Sequence, residues 1–255
     1  MENGVTGTDK LRSFLVLAAT LGLLGFNWMA VTGRLGGNET GDISDKYPTL
    51  ITPADYAFSI WGLIYLALIA FTIYQLLPAN IIRFRPVRSL YIFSCALNCA
   101  WLYFWHAEQI VVCFLIILAL CIVLLFITFI LRRPESLADA WVAKAPFQIY
   151  FGWVTAAMLA NFAVMLKFLD IAISSPGQTL VAVALVVIAA SIAVLVRLKL
   201  TSYFYPLAVA WALTAIAVKQ SGHTVIVTVA AFGVIACLIA SLSFVMNLRS
   251  STTPA

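Results

Sequence analysis

The chain has 255 residues, 64% hydrophobic and only 10% charged, with a mean hydropathy of +1.05. Soluble domains carry about a quarter charged residues, so a water-soluble enzyme or binding module is excluded and an all-α polytopic membrane bundle is expected. The formal charge of +5 is spread over short loops, which suits membrane orientation and anionic headgroups and excludes nucleic-acid binding.

A spanning helix needs about 20 mostly apolar residues. Eight such segments follow one another, at 13–32, 55–78, 88–106, 109–131, 142–166, 178–196, 203–218 and 223–247. The first follows Lys10 and Arg12 in the charge order of a signal peptide. Its apolar run nevertheless continues through Trp28, Met29 and Ala30 before Arg34, which is the length of a full span. Residues 33–53 are the one long polar connection, Gly-rich at first, acidic in the middle and bracketed by Pro48 and Pro53. A loop of this kind is either a lid over a cavity mouth or a solvated connector.

The second span carries Phe58, Trp61 and Tyr65 at i, i+3 and i+7. In the third, Ser94, Asn98, Trp101 and Trp105 fall within a stripe of roughly 60° at helical periodicity. A carboxamide and two indoles are costly in hydrocarbon, so this face packs inward or lines a cavity. His106 and Glu108 cap the tight turn into the fourth span. The fifth offers Tyr150, Trp153, Ala157 and Asn161. The seventh, YFYPLAVAWALTAIAVK, is short and carries Pro206.

Cys95, Cys99, Cys113, Cys121 and Cys237 all fall inside spans, which rules out a secreted disulfide framework. Cys95 and Cys99 are one turn apart and read as small packing residues, since no His or acid joins them at ligand spacing. With the N terminus inside, the inner segments hold Lys10, Arg12, Arg83, Arg85, Arg88, Arg132, Arg133, Lys144, Arg197, Lys199 and Arg249, eleven of the fifteen basic residues. Arg34, Lys46, Lys167 and Lys219 remain outside. The positive-inside rule therefore predicts both termini in the cytoplasm and an even number of spans, and the short termini suit a bacterial inner membrane.

If the aromatic faces of the second, third and fifth spans converge, they enclose a cavity with two carboxamides, suited to a flat or bulky apolar ligand. Each element also has a plainer reading. Trp28, Trp141 and Trp211 suit the interfacial belt, and Asn98 and Asn161 suit hydrogen bonding between helices.

ITPADYAFSIWGLIYLALIA, with Pro53, Trp61 and Tyr65, resembles the second helix of the TspO and peripheral benzodiazepine receptor family, the tryptophan-rich sensory proteins. ALNCAWLYF is similar to the family's third-helix Asn-x-x-Trp pattern at Asn98 and Trp101. APFQIYFGWVTAAMLAN resembles its fifth-helix signature at Pro146, Trp153 and Asn161. The usual Pro-Pro-x-Trp opening is Thr52-Pro53-Ala54-Asp55 here, Tyr103 replaces the third-helix proline, and a longer Pro146-to-Trp153 spacing puts Tyr150 where the family indole is expected. The likeness covers residues 1–170 as a five-helix bundle, with 171–255 a three-helix membrane extension. It implies a pocket for a hydrophobic planar molecule such as a porphyrin or haem, no obligatory cofactor, frequent homodimerisation, and membrane lipids as surroundings. Trp61, Tyr65, Asn98, Trp101, Tyr150, Trp153 and Asn161 are then the expected ligand-binding residues.

No nucleophile, paired carboxylates or metal cluster stands out, so an enzyme is not expected. Two other classes stay open: a transporter of a small organic or lipid-like solute, favoured by eight spans but opposed by spans nearly free of charge, and a membrane assembly factor whose aromatic stripes pack on partner helices.

Overall fold

The computed structural model describes residues 4–250, with side chains described as far as residue 243. Arg249, counted above among the inner basic residues, and the extreme C terminus lie outside the described side chains. In chain order the helices are α1 Gly7–Val31, α2 Thr40–Lys46, α3 Ile60–Tyr74, α4 Arg85–His106, α5 Ile110–Ile130, α6 Ala145–Phe168, α7 Ser175–Leu200, α8 Phe204–Lys219 and α9 Thr224–Ser250. Short 3₁₀ turns occupy Asp55–Ser59 and Pro78–Asn80, and a π turn, Asp139–Lys144, leads into α6.

The helix ends follow local chemistry. Thr6 and Asp9 form a reciprocal capping box at the start of α1. Pro86 and Pro176 fall in the first turns of α4 and α7, where a missing N–H costs little. Pro206 sits at the third residue of α8 for the same reason. Thr201 ends α7 in the left-handed region at φ 49°.

Among the described residues a helix occurs at each of the eight expected segments, and α2 is an addition inside the long polar connection. Among the described residues six helices are long and apolar enough to cross a membrane by length and composition. Arg85–His106 falls short because Asn98, the indoles, the tyrosines and His106 dilute it, and Phe204–Lys219 has only 16 residues. The second span begins later than its hydropathy suggests. Phe58 lies in a 3₁₀ turn rather than on the α3 face, so the Phe58, Trp61 and Tyr65 stripe is broken after its first member.

The chain forms two compact units. One comprises the described residues of Met1–Lys46 with Ser59–Phe147, and the other comprises Tyr47–Phe58 with the described residues of Gln148–Ala255.

In the first unit α1 packs on α3 and α4, α4 packs on α5, and α2 lies against α4. The buried face of α1 reads Asp9, Ser13, Val16, Thr20, Leu23, Asn27 and Ala30, alternating steps of four and three, the spacing that keeps one seam toward neighbouring helices. Ser13, Thr20 and Asn27 are seven residues apart, and each also bonds the carbonyl four residues behind it, at 2.9, 2.8 and 2.9 Å. The core centres on Phe71, edge-on to Phe84, Tyr91 and Phe147 at 4.9–5.6 Å. One end is tied by ions. Arg85 grips Asp9 through two bonds of 2.7 and 2.5 Å. Arg83 holds Asp139 at 2.7 Å and Glu135 at 3.0 Å, and the Tyr74 hydroxyl donates to Asp139 at 2.9 Å.

In the second unit α7, α8 and α9 pack mutually. Gly152 of α6 lets the helix approach α8 closely, since a Cβ there would stand 2.6 Å from the Tyr205 carbonyl oxygen. Phe151 packs on Tyr205 at 4.7 Å, and the Tyr205 hydroxyl meets that of Thr155 at 2.7 Å. Segment 47–58 is pinned to α8: Ala54 N–H donates to Ala215 O at 3.0 Å and the Trp211 indole N–H donates to Ala57 O at 3.0 Å.

Candidate functional site

In the first unit, three of the expected site residues meet through a fourth that the sequence reading passed over. Trp61 and Tyr65, one turn apart on α3, stack with centroids 5.4 Å apart and planes 16° from parallel. The Tyr65 hydroxyl donates to Asn27 Oδ1. Asn27 Nδ2 donates to Asn98 Oδ1 at 3.1 Å and to Leu23 O at 2.9 Å. Asn98 is 1% exposed and Asn27 is 7% exposed, so these amides exchange water for one another inside the bundle, as buried polar groups must. Trp61 and Tyr65 are only half-buried. The arrangement is an aromatic platform, open along one side, whose phenol is fixed in place from beneath by two carboxamides.

Trp101 lies one turn beyond Asn98 on the same buried face and stacks on Trp105 at 5.6 Å and 21°. The Trp105 indole N–H donates to Thr40 O at 3.1 Å, which fastens α2 to α4. Ser94, Asn98, Trp101 and Trp105 are all buried, as their common stripe predicted, while Tyr103 on the opposite side is 57% exposed. His106 Nδ1 sits 2.8 Å from Leu102 O, and Glu108, at φ 53°, pairs with Lys46 at 2.6 Å. These groups close the turn, as their position suggested.

The polar seam continues along the first unit. The hydroxyls of Thr20, Thr72 and Tyr91 meet at 2.8 and 2.7 Å. Farther on, Gln75 donates to Ser13 O at 3.1 Å and accepts from Arg88 Nε at 2.7 Å. Arg88, the first residue of the expected third span and one of the inner basic residues, stands inside α4 and is fully buried. Its Nη1 has no hydrogen-bond partner among the described residues. Arg83 lies in the connection before α4. Burial works to lower its guanidinium, but Asp139 and Glu135 outweigh this and hold it above its ordinary value.

The remaining expected residues belong to the second unit. Tyr150 and Trp153 are 1% and 3% exposed, and Trp153 meets Phe58 edge-on at 6.1 Å. Asn161 is buried and donates to Ala157 O, one turn back, at 2.9 Å. Arg197, like Arg88, lies buried within a helix: it donates to Ala240 O and Ser243 Oγ at 3.1 and 2.9 Å and covers the Tyr203 ring at 3.9 Å.

This unit also contains a cavity of about 270 Å³ that none of the seven expected residues lines. Its walls come from Pro48–Ile51, the last turn of α6, the 170–173 connection and the first turns of α7. The final residues of the long polar connection thus form a cavity wall, which favours the lid reading for that part of the loop. Sequence periodicity carried no signal for it, because the wall depends on a segment folding back over helices about 120 residues farther along the chain. Among the described residues no group of three or more His, Cys, Asp or Glu is placed to hold a metal.

A family model described as TSPO-like protein matches residues 13–244, reaching from α1 into α9. Comparison with curated proteins and with solved structures finds no match.

Proposed function

The chain belongs to the TSPO-like protein family, and from that membership we propose that it binds a hydrophobic planar small molecule, such as a porphyrin or haem, as a sensory protein of the membrane. It is an integral membrane protein, with helices that meet the length and apolarity of a span. The observation that carries the reading is the stacked, half-buried Trp61–Tyr65 pair, oriented from below by Asn27 and Asn98. A flat ring system gains stacking and apolar area on such a platform, and the fixed phenol limits how it lies. Trp101 is the fourth proposed contact in the first unit. Tyr150, Trp153 and Asn161 are proposed contacts to be probed as a separate group within theirs.

The test is a porphyrin titration of purified protein, followed by tryptophan quenching and by the ligand's own absorbance. Trp61→Ala should weaken binding at least about tenfold, the equivalent of 1.4 kcal/mol. Unchanged affinity in a folded Trp61→Ala protein overturns the assignment.

Transport of a small organic or lipid-like solute is a second reading, and buried Arg88 favours it, since ionisable groups inside membrane helices commonly mark solute pathways. Flux of an organic solute into proteoliposomes, lost in Arg88→Met, would decide for it. Both readings share the proposal that the termini lie in the cytoplasm, which the placement of basic residues supports.

A further inference from the structure

We propose that the cavity of the second unit holds a zwitterionic phospholipid, its phosphate against Lys167 and its ammonium against Asp170, with the start of an acyl chain on the apolar wall. None of its lining residues belongs to the aromatic platform, so the proposal does not rest on porphyrin binding.

The wall is apolar where a chain would lie: Leu50, Ile51, Leu166, Ile173, Val181 and Leu185 all line it. Two opposite charges stand on the same lining, Lys167 and Asp170, three residues apart at the end of α6. Neither makes an ion pair among the described residues, although other exposed charges of this unit do, as Lys219 does with Asp55 at 3.3 Å. Asp170 adopts φ 50° and its N–H bonds Lys167 O at 3.1 Å, so the backbone turns sharply between the two charged residues. An ammonium group and a phosphate within one headgroup match a lysine and a carboxylate, and each contact is charge-assisted. A purely anionic head would satisfy Lys167 and face repulsion from Asp170.

The volume argues for a lipid rather than a whole small molecule. At about 270 Å³ the cavity is below the usual 300–1,000 Å³ of a drug-sized pocket. It suits a headgroup with part of a chain, the remainder lying outside. The surroundings supply that outside: Ile171 of the lining is exposed, and so are Phe168, Leu169 and Leu180, neighbours in the chain of lining residues. The wall formed by residues 48–51 is also preformed. Tyr47 packs on Phe168 at 5.9 Å, Thr49 and Thr52 close a turn at 3.1 Å, and Gln220 donates to Thr49 O at 3.1 Å.

The test offers full-length protein in mild detergent equal amounts of phosphatidylethanolamine, phosphatidylglycerol and diacylglycerol, and counts retained lipid by native mass spectrometry. Wild type should keep phosphatidylethanolamine about five-fold over phosphatidylglycerol, and Asp170→Asn should erase that preference. Lys167→Gln should lower retention of both phospholipids toward that of diacylglycerol. Ala172→Trp, which fills the opening from an exposed position, should lower retention of all three, with Ala163→Phe as a second filling variant. Porphyrin binding should survive in every one of these variants, and lipid retention should survive Trp61→Ala. Equal retention of the two phospholipids by wild type, or undiminished retention in both filled variants, overturns the proposal. Displacement of the lipid by millimolar phosphoethanolamine alone would also overturn it, by making a soluble head the occupant.

Discussion

Asn27 shows what a single residue contributes and why it escaped notice. It lies between Phe26 and Trp28 in the first apolar run, whose aromatics do not repeat at helical spacing, yet it joins Tyr65 of α3 to Asn98 of α4. The signal that could have exposed it is the seven-residue spacing of Ser13, Thr20 and Asn27, a polar seam on one helix face. Asn98 was legible because it shares one helix face with Trp101 and Trp105. Asn98→Leu should cost about 1 kcal/mol of stability, seen as a lower melting temperature in detergent, and should loosen porphyrin binding by removing a partner of Asn27, which holds Tyr65. Gly152→Ala offers a sharper structural test. Its Cβ would press on the Tyr205 carbonyl and on Ala208, which should cost about 1–3 kcal/mol. Gly22→Ala, with nothing within 4 Å of the added carbon, should leave the melting temperature unchanged.

At the level of elements, hydropathy located eight helices and missed what depends on backbone irregularity. The 3₁₀ turn that removes Phe58 from the α3 face follows Pro53, and the π turn before α6 places buried Asp139 between Arg83 and Tyr74. Neither is a periodic feature, so period counting passed them by. Short α2 has no apolar stripe long enough to register; its anchorage is the Trp105 bond to Thr40. The pair Gln75 and Arg88 gives a prediction that separates bonding from packing. Gln75→Leu strands a buried guanidinium and should cost about 3 kcal/mol, whereas the double variant Gln75→Leu/Arg88→Met should recover most of it. A double-mutant cycle by denaturant unfolding measures the difference, and equal losses in the single and double variants would contradict this account of Arg88. Asp139→Asn should likewise weaken the ties among α3, the connection before α4 and the π turn, and its loss of stability should shrink at high salt because the Arg83 side chain is partly exposed.

For the whole molecule, the family was legible from Pro53, Trp61, Asn98, Trp101, Pro146, Trp153 and Asn161, and the match over residues 13–244 agrees. The cavity of the second unit was not legible, because it is made by a chain reversal and not by a repeating pattern. The proposed orientation can be checked in a cysteine-free background, with single cysteines at Gly4 and at Gly36. In intact cells a membrane-impermeant thiol reagent should label the second and spare the first; the reverse pattern would invert the topology. The back-bonds along α1 have a bearing on biosynthesis. Thr20 and Asn27 find their partners on segments 38–71 residues later, so this helix leaves the ribosome well before the groups that will meet it. Because each side chain already donates one hydrogen bond to its own preceding turn, the newborn helix can wait among acyl chains with part of its polarity covered, and exchange lipid for protein neighbours as they emerge.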